Sequence, residues 1–302
     1  DLVRSRGLGD VYKRQVVDEE VGLAASIRIV NPQSMKKEDF ISGGTATGEM
    51  LDFLSECIRY GISVCVAGAT SSGKTTVAGW LLTTIPDRKR IFTIENGSRE
   101  LDLIREESGK VLNSVVHTLT RDSENDRQRI DQIALLDIAL RFNPDILVVG
   151  EMRGAEANAA QEAARTGVAV VTTIHSNSCE ATYRRMVSLC KRAVDMSDET
   201  LMGYVTEAYP IIVFCKQLEN RQRVIMEIME CEIKPDGTRR YRPLYQYEIM
   251  ENQLEGDYFV VNGKHRVMNA ISDGLYKRLL ENGMPMETLN RFRSKGEGGE
   301  ES

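Results

Sequence analysis

The chain has 302 residues, 41% of them apolar, room for one large packed domain or two small ones. Its net charge of −6 gives no overall electrostatic footprint for nucleic acid or an anionic membrane. No apolar run approaches the ~20 residues of a membrane span. The six cysteines (Cys57, Cys65, Cys179, Cys190, Cys215, Cys231) form no C-x-x-C pair, and the three histidines show no metal-ligand spacing. Buried free thiols in a reducing, cytoplasmic compartment are expected, not a disulfide framework or a zinc site.

Residues 10–15 read DVYKRQ. The codons GAT GTG TAT AAG AGA CAG encode this run, which looks like the transposon end used in tagmentation libraries. Residues 1–15 are therefore expected to be translated adaptor and are set aside. Leu23–Val30 is apolar enough for one strand of a preceding domain. Asn31–Thr47, with Asn-Pro and Gly-Gly, predicts a linker and a short helix. Residues 16–45 are thus expected to be the remnant of an N-terminal domain and its linker. Thr47–Tyr60 is apolar at Met50, Leu51, Leu54 and Ile58, an amphipathic helix that stops at Gly61.

Ile62–Ala67 is short, apolar and β-branched, a buried strand by pattern. It runs into Gly68–Thr76, GATSSGKTT, which fits the phosphate-loop pattern G-x-x-x-x-G-K-[ST] at every fixed position. Thr75–Thr84 then carries apolar residues at helical spacing and stops before Pro86. Strand, glycine loop and helix together are the context this pattern needs. The glycines let the backbone of Gly68, Ala69, Thr70, Ser71, Ser72 and Gly73 curl with its N–H groups inward around an anion. The helix N-terminus at Lys74, Thr75 and Thr76 adds partial positive charge. Lys74 is placed to reach the outer phosphates, and the Thr75 hydroxyl to ligate Mg²⁺.

Arg90–Ile94 predicts a second strand, followed by Glu95 and Glu100; Val111–Leu119 predicts a third. Ile130–Phe142 is helical, broken by Pro144, and Ile146–Val149 is a fourth strand ending in Gly150 and Glu151. Ala155–Arg165 is an alanine-rich helix, and Val168–Ile174 a fifth strand that delivers His175. Parallel strands alternating with helices describe an open α/β sheet with its site along the C-terminal edge of the strands. Helices are predicted at Cys179–Ala193 and Ser197–Ala208, then strands at Ile211–Lys216, Arg223–Ile233 and Tyr241–Ile249, separated by turns such as Pro235-Asp236-Gly237. Val267–Asn282 predicts a final long helix, and Ser294–Ser302 a disordered tail. The expected division is an ATPase domain over residues 46–250 and a C-terminal helical region with its tail over residues 251–302.

Hydrolysis needs a carboxylate near the γ-phosphate and charge to stabilise the transition state. Glu151, just past an apolar strand, is the first candidate for orienting or deprotonating the attacking water. Glu95 and Glu100 follow the neighbouring strand and are candidates to hold Mg²⁺ through water or to place the nucleophile. Arg121, Arg141 and Arg153 cluster in sequence around these acids, and arginine neutralises charge on a transferring phosphoryl group.

Three further stretches, IENGSREL, ALRFNPDILVVGEMRGAEA and AARTGVAVVTTIHSNS, resemble in this order the Asp box, Walker B box and His box of secretion ATPases. That superfamily includes the motors of type II and type IV secretion, type IV pili and archaella. The wording TIHSN and VFCKQLENRQRVIMEI is most similar to the CpaF/TadA branch of tight-adherence (Flp) pilus assembly. The resemblance runs from about Leu23 to Asn290. It implies a RecA-like motor domain with appended antiparallel strands and C-terminal helices. It also implies ATP and Mg²⁺ as ligands, assembly as a homohexamer, and work on an inner-membrane platform from the cytoplasmic side.

By motif, Glu95 and Glu100 match the Asp-box acids, Glu151 the Walker B glutamate and His175 the second His-box histidine. Arg121 and Arg141 fall where the family carries arginines that approach the γ-phosphate, across a subunit boundary in some arrangements. Arg28 resembles the arginine of the last N-domain strand. Two departures stand out: Glu95 is followed by Asn96, with an extra residue before Glu100, and Val168 replaces the first His-box histidine. Valine can neither donate nor accept a side-chain hydrogen bond, so any relay through that position is absent. A conjugation-type secretion ATPase shares these boxes. A RecA-like nucleic-acid motor is opposed by the net acidity and the lack of an aromatic-basic groove.

Overall fold

The structure is a computed structural model that describes residues 35–293 except 124, 126, 127 and 257. The chain divides into Asp1–Gln33 and Ser34–Ser302. The adaptor reading of residues 1–15, the Leu23–Val30 strand and Arg28 lie outside the described residues.

Two helices come first, α1 (Lys37–Ser42) and α2 (Gly48–Arg59). Then follow β1 (Val64–Gly68), α3 (Lys74–Thr83), β2 (Arg90–Glu95), a small hairpin of β3 (Glu106–Glu107) and β4 (Lys110–Val111), and β5 (Ser114–Leu119). Next are α4 (Gln132–Arg141), β6 (Ile146–Met152), α5 (Glu156–Arg165), β7 (Ala169–Ile174), α6 (Cys179–Cys190) and α7 (Asp198–Ala208). The antiparallel strands are β8 (Ile211–Gln217), β9 (Arg223–Ile233), β10 (Arg239–Glu255) and β11 (Tyr258–Val267), and the last helices are α8 (Asp273–Glu281) and α9 (Met286–Arg293).

The main sheet has the order β11-β10-β9-β8-β1-β7-β6-β2-β5. From β8 to β5 all neighbours are parallel, while β8 to β11 form antiparallel pairs. Both faces of the parallel part are covered, which is why its strands read as unbroken apolar runs. Along β1, Val64 and Val66 enter one core with Met50, Val77, Leu275 and Leu289. Cys65 and Ala67 enter the other with Leu135, Ala157, Cys179 and Leu201. Helices α1–α3, α8 and α9 therefore cover one face, and α4–α7 the other. All six cysteines are buried and free, as their apolar surroundings predict.

Helix starts follow side-chain caps. Thr47 accepts from the Met50 N–H, Asp131 from Ala134, Ser178 from Ala181 and Ser272 from Leu275.

Four sequence expectations need correction. The single strand over Val111–Leu119 is broken at Asn113, whose buried amide accepts from the Arg105 N–H at 2.9 Å and donates to the Leu103 carbonyl at 2.7 Å. That tie turns Lys110–Val111 into a separate hairpin and leaves Ser114–Leu119 in the main sheet. The strand expected at Tyr241–Ile249 extends to Glu255, and β11 is a further strand paired to it. Asn262-Gly263 lies mid-strand in β11. A Cβ on Gly263 would be 2.6 Å from the Tyr247 ring, so the glycine makes room for a cross-strand aromatic. The stretch from residue 251 thus opens as strand and not helix. The helix expected at Val267–Asn282 starts only at Asp273, because Val267 is paired with Tyr245 and Ser272 supplies the cap.

Candidate nucleotide site

The loop Gly68–Thr76 leaves the buried strand β1 between β7 and β8 and enters α3. Three residues set its curl: Gly68 at φ 152°, Ser71 at φ 64° and Gly73 at φ 94°. Gly68 cannot be replaced without a clash, since a Cβ there would lie 2.2 Å from the Cys215 carbonyl. Ser71 holds a left-handed conformation that a non-glycine residue adopts at a cost, a common mark of functional loops. Ala69, Thr70, Ser71 and Thr76 are exposed, Gly73 and Thr75 half-buried, and Ser72 and Lys74 buried.

The loop's donors converge on one acceptor. The Ala69 carbonyl receives Lys74 Nζ at 2.7 Å and the Ser72 hydroxyl at 2.8 Å. Burial pulls the Lys74 ammonium below its ordinary pKa, and the charge of Glu151 opposes that shift. An ammonium turned onto a loop carbonyl is a group held ready for a stronger acceptor, such as a phosphate oxygen.

Glu151 comes from β6, next to β7. Val149 pairs with Thr172 and Met152 with Ile174, so Gly150-Glu151 carries one residue more than its partner. This bulge turns Glu151 out of the ladder, as bulges beside sites often do. The Thr173 hydroxyl takes the Gly150 carbonyl at 2.7 Å and Gln132 Nε2 the Glu151 carbonyl at 3.2 Å, fixing the bulge.

The carboxylate accepts Arg153 Nη2 at 2.6 Å on Oε2, and His175 Nε2 lies 3.0 Å from Oε1. The other ring nitrogen of His175, Nδ1, is 3.4 Å from Lys74 Nζ. A lysine ammonium can only donate and a carboxylate can only accept. A singly protonated histidine between them must then carry its proton on Nε2. That N–H is poorly aligned, and Oε1 is buried with no well-formed hydrogen bond. Burial pushes the Glu151 carboxyl up, but the bond and charge of Arg153, with His175 and Lys74, outweigh it and hold the pKa below its ordinary value. Glu151 is a carboxylate at neutral pH with one oxygen open to a new donor.

Glu95 is buried at 4% exposure on β2, the strand beside β6. Its Oε2 accepts the Glu100 N–H at 2.7 Å and the Leu101 N–H at 3.0 Å, closing the loop after the strand. Its Oε1 has no hydrogen-bond partner and is 3.8 Å from His117 Nδ1. Glu100 is half-buried and acts on Arg153 by charge. Gly150 separates the two acids: a Cβ there would be 3.5 Å from Glu95 Cγ. Glu95 Oε1 and Glu151 Oε1 are buried oxygens without a hydrogen-bond partner, and Thr75 lies in the first turn of α3. Oxygen donors such as the Thr75 hydroxyl suit a hard cation like Mg²⁺, although among the described residues no group of three or more His, Cys, Asp or Glu side chains could hold a metal ion.

The arginines divide differently from their sequence order. Arg153 is on Glu151. Arg121 stands at the C-terminal edge of the sheet, but its Nε donates to the Gln128 carbonyl at 2.8 Å, within its own loop. Arg141 ends α4, beside Phe142, whose carbonyl accepts from Arg90 at the start of β2 at 2.6 Å. It is therefore at the opposite edge of the sheet from Glu151. Val168 likewise precedes β7, while His175 follows it, so the two His-box positions face opposite edges. Two residues that sequence reasoning did not single out also border the loop. Arg185 of α6 lines, with Ala69, Thr70, His175, Ser176, Asn177 and Ala181, an open cleft of about 550 Å³. Arg223 of β9 donates through Nε to the Ser71 carbonyl at 2.9 Å.

Residues 17–290 match the family model described as type II/IV secretion system protein. The chain belongs to this family. An uncharacterised protein of Methanocaldococcus jannaschii is 29% identical over 261 residues, 86% of this chain and 88% of that protein. The type IV secretion system protein VirB11 of Bartonella quintana is 28% identical over 180 residues, 58% of this chain and 48% of that protein. The chain thus spans about half the length of that VirB11 relative. The crystal structure of the Brucella suis VirB11 ATPase, in complex with sulphate, is similar with TM-score 0.52 and 21% identity, covering 74% of this chain and 62% of that one. Its fold is that of a RecA-like P-loop secretion ATPase, with a mostly parallel sheet, added antiparallel strands and C-terminal helices. No helix among the described residues is long and apolar enough to cross a membrane.

Proposed function

We propose that the chain is the motor of a secretion ATPase, hydrolysing ATP with Mg²⁺ to drive pilus assembly or protein secretion. It works as a homohexamer on an inner-membrane platform, from the cytoplasmic face, and takes no nucleic acid. The wording of the His box and of β8–β9 favours the tight-adherence pilus branch. The VirB11-named relatives favour the second reading, a conjugation-type secretion system. Residues 46–250 form the ATPase unit, extended by the β10–β11 hairpin.

The observation that carries the proposal is the join of Lys74 to Glu151 through His175. Lys74 and Glu151 meet at one sheet edge, which supports reading them as the phosphate-binding cation and the general base. On ATP binding, Lys74 exchanges the Ala69 carbonyl for phosphate oxygens, and the amides of Ala69–Thr75 close around them. Glu151 orients a water through its open oxygen and takes its proton as the water attacks the γ-phosphorus. The bond from that phosphorus to the bridging oxygen breaks, giving ADP and phosphate. Arg153 keeps Glu151 ionised and its carboxylate directed. Glu95 shapes the loop that brings Glu100 to Arg153. Thr75 would help to hold Mg²⁺, which would supply charge neutralisation on the β- and γ-phosphates.

The test is Mg²⁺-dependent phosphate release from ATP by this chain, compared with Lys74→Ala. A chain that neither binds nucleotide nor releases phosphate, while folded, overturns the proposal.

A further inference from the structure

The turn between β8 and β9 reaches two segments far from it in sequence. On one side Arg223 meets the phosphate loop twice. Its Nε donates to the Ser71 carbonyl at 2.9 Å, and its Cδ lies 3.3 Å from where a Cβ on Gly73 would be. On the other side Gln222 Nε2 donates to the Gly43 carbonyl at 3.0 Å, and the Ile225 N–H to the Thr45 carbonyl at 2.8 Å. Gly43–Thr45 leads from α1 into Thr47, the cap of α2. Gly44, at φ 66°, is the point where Gln222 packs: a Cβ there would be 2.4 Å from its Nε2. The turn is itself braced, by Leu218 N–H to the Gln222 carbonyl and Arg221 N–H to the Leu218 carbonyl, both at 2.8 Å.

We propose that Arg223 is a positioning residue for the phosphate loop and that, with Gln222, it links nucleotide occupancy of that loop to the Gly43–Thr45 segment. This rests on nucleotide binding at Gly68–Thr76 as proposed above. The physical reason lies in the planar trans peptide. Holding the Ser71 carbonyl from outside fixes the Ser71–Ser72 peptide plane and sends the Ser72 N–H the opposite way, into the loop. In this structure that N–H points at the Ala69 carbonyl, at 3.4 Å. It is one of the amides a phosphate must recruit. Among the described residues Arg223 makes no ion pair, so its charge stands beside the loop uncompensated. When a phosphate draws the loop amides in, Ser71 pulls on Arg223. The braced turn carries the strain to Gln222 and so to Gly43–Thr45.

The test uses the full chain, ATP for kinetics, and a non-hydrolysable ATP analogue for hydrogen exchange. Arg223→Ala is expected to raise the KM for ATP about tenfold while kcat changes less than about threefold, the loss of one charge-assisted bond to the binding loop. Arg223→Lys keeps the charge and is expected to recover part of the loss. Because Arg223 is exposed, both variants should melt with the unaltered protein. In the unaltered chain the analogue is expected to alter exchange at the Gly44, Thr45 and Ala46 amides. Gln222→Ala removes one of the two ties to the segment and is expected to reduce that response at least about twofold while the KM stays within about twofold.

If Arg223→Ala binds ATP as the unaltered chain does, or if the Gly44–Ala46 response is undiminished in Gln222→Ala, the link is overturned and the ATPase proposal stands. If the unaltered chain fails to bind ATP, both fall together.

Discussion

Glu151 and His175 stand at the C-terminal ends of adjacent strands, β6 and β7, and meet with Nε2 3.0 Å from Oε1. The contact exists because the Gly150-Glu151 bulge turns the carboxylate toward the end of β7. The ring spans the two groups: Nε2 faces the carboxylate as a donor, and Nδ1 faces the phosphate-binding lysine as an acceptor.

The two ends of that contact separate binding from turnover. Lys74 contacts phosphates in the ground state, so Lys74→Ala is expected to lose nucleotide affinity itself. Glu151 acts on water, so Glu151→Gln should keep affinity near that of the unaltered chain and slow hydrolysis by ~10²-fold or more. Titration calorimetry with a non-hydrolysable analogue, beside phosphate-release kinetics, reads both quantities. Unchanged turnover in Glu151→Gln would remove Glu151 from the mechanism.

Arg153 sets the acid limit of activity. Burial favours the protonated Glu151, and Arg153 is the largest of the groups that reverse this. Removing the guanidinium leaves burial less opposed, so the Glu151 pKa must rise. Arg153→Ala is therefore expected to shift the acid limb of the kcat/KM profile to higher pH, while Arg153→Lys shifts it less. Identical acid limbs in all three proteins would show that another group governs that limb.

What could be read from the residues was what chain neighbours determine. The phosphate loop is a local pattern, and Lys74 and Thr75 sit where nine consecutive residues put them. Glu151 and His175 could be found because an apolar strand announces its own end. The arginines could not be sorted this way. Arg141 and Arg153 are close in sequence, but a strand and its preceding helix run in opposite directions, so the two fall at opposite sheet edges. Strand β11 was not foreseen, and the place of Gly263 in it depends on Tyr247, a partner across the sheet. Arg223 gave no local signal, since its acceptor, Ser71, lies 152 residues away. Glu95 read as an acid to hold Mg²⁺ through water or to place the nucleophile, yet one of its oxygens is spent on the Glu100 and Leu101 amides.

A second buried acid ties the C-terminal helices to the sheet. Glu230 of β9 accepts the Ser272 N–H at 2.9 Å and the Ser272 hydroxyl, and Ser272 caps α8. Burial raises the Glu230 pKa despite the opposing Ser272 bonds and the charge of Arg242. A carboxyl whose pKa is raised by folding stabilises below its unfolded pKa, and that contribution is lost as pH rises through the folded value. Glu230→Gln keeps an acceptor for the Ser272 N–H and removes the ionisation. It is expected to flatten the fall of Tm with rising pH, across the window that starts at the ordinary glutamate value of about 4.3. Glu230→Ala leaves Ser272 without its acceptor and should cost about 1–3 kcal/mol. An unchanged pH slope in Glu230→Gln would show that Glu230 stays ionised in the folded chain.

Arg141 allows a test of assembly that no single chain can pass. Helix α4 has ten residues, so it carries Arg141 about 15 Å back along the sheet from the edge that holds Glu151. The Arg141 side chain is exposed there. It cannot serve the phosphate loop of its own chain. If it stabilises a transferring phosphoryl group, as the family resemblance implies for this position, it does so in a neighbouring copy. Two inactive variants should then complement each other. Lys74→Ala keeps Arg141 but has a dead loop, while Arg141→Ala keeps the loop but lacks the arginine. Each alone is expected to hydrolyse ATP slowly. An equimolar mixture should recover phosphate release above the sum of the two, because mixed rings place an intact Arg141 beside an intact loop. The recovery must rise with total protein concentration and vanish on dilution below the assembly range, both read by sedimentation alongside the assay. If Arg141→Ala alone turns over ATP like the unaltered chain, the arginine is a surface charge and some other group meets the γ-phosphate across the ring.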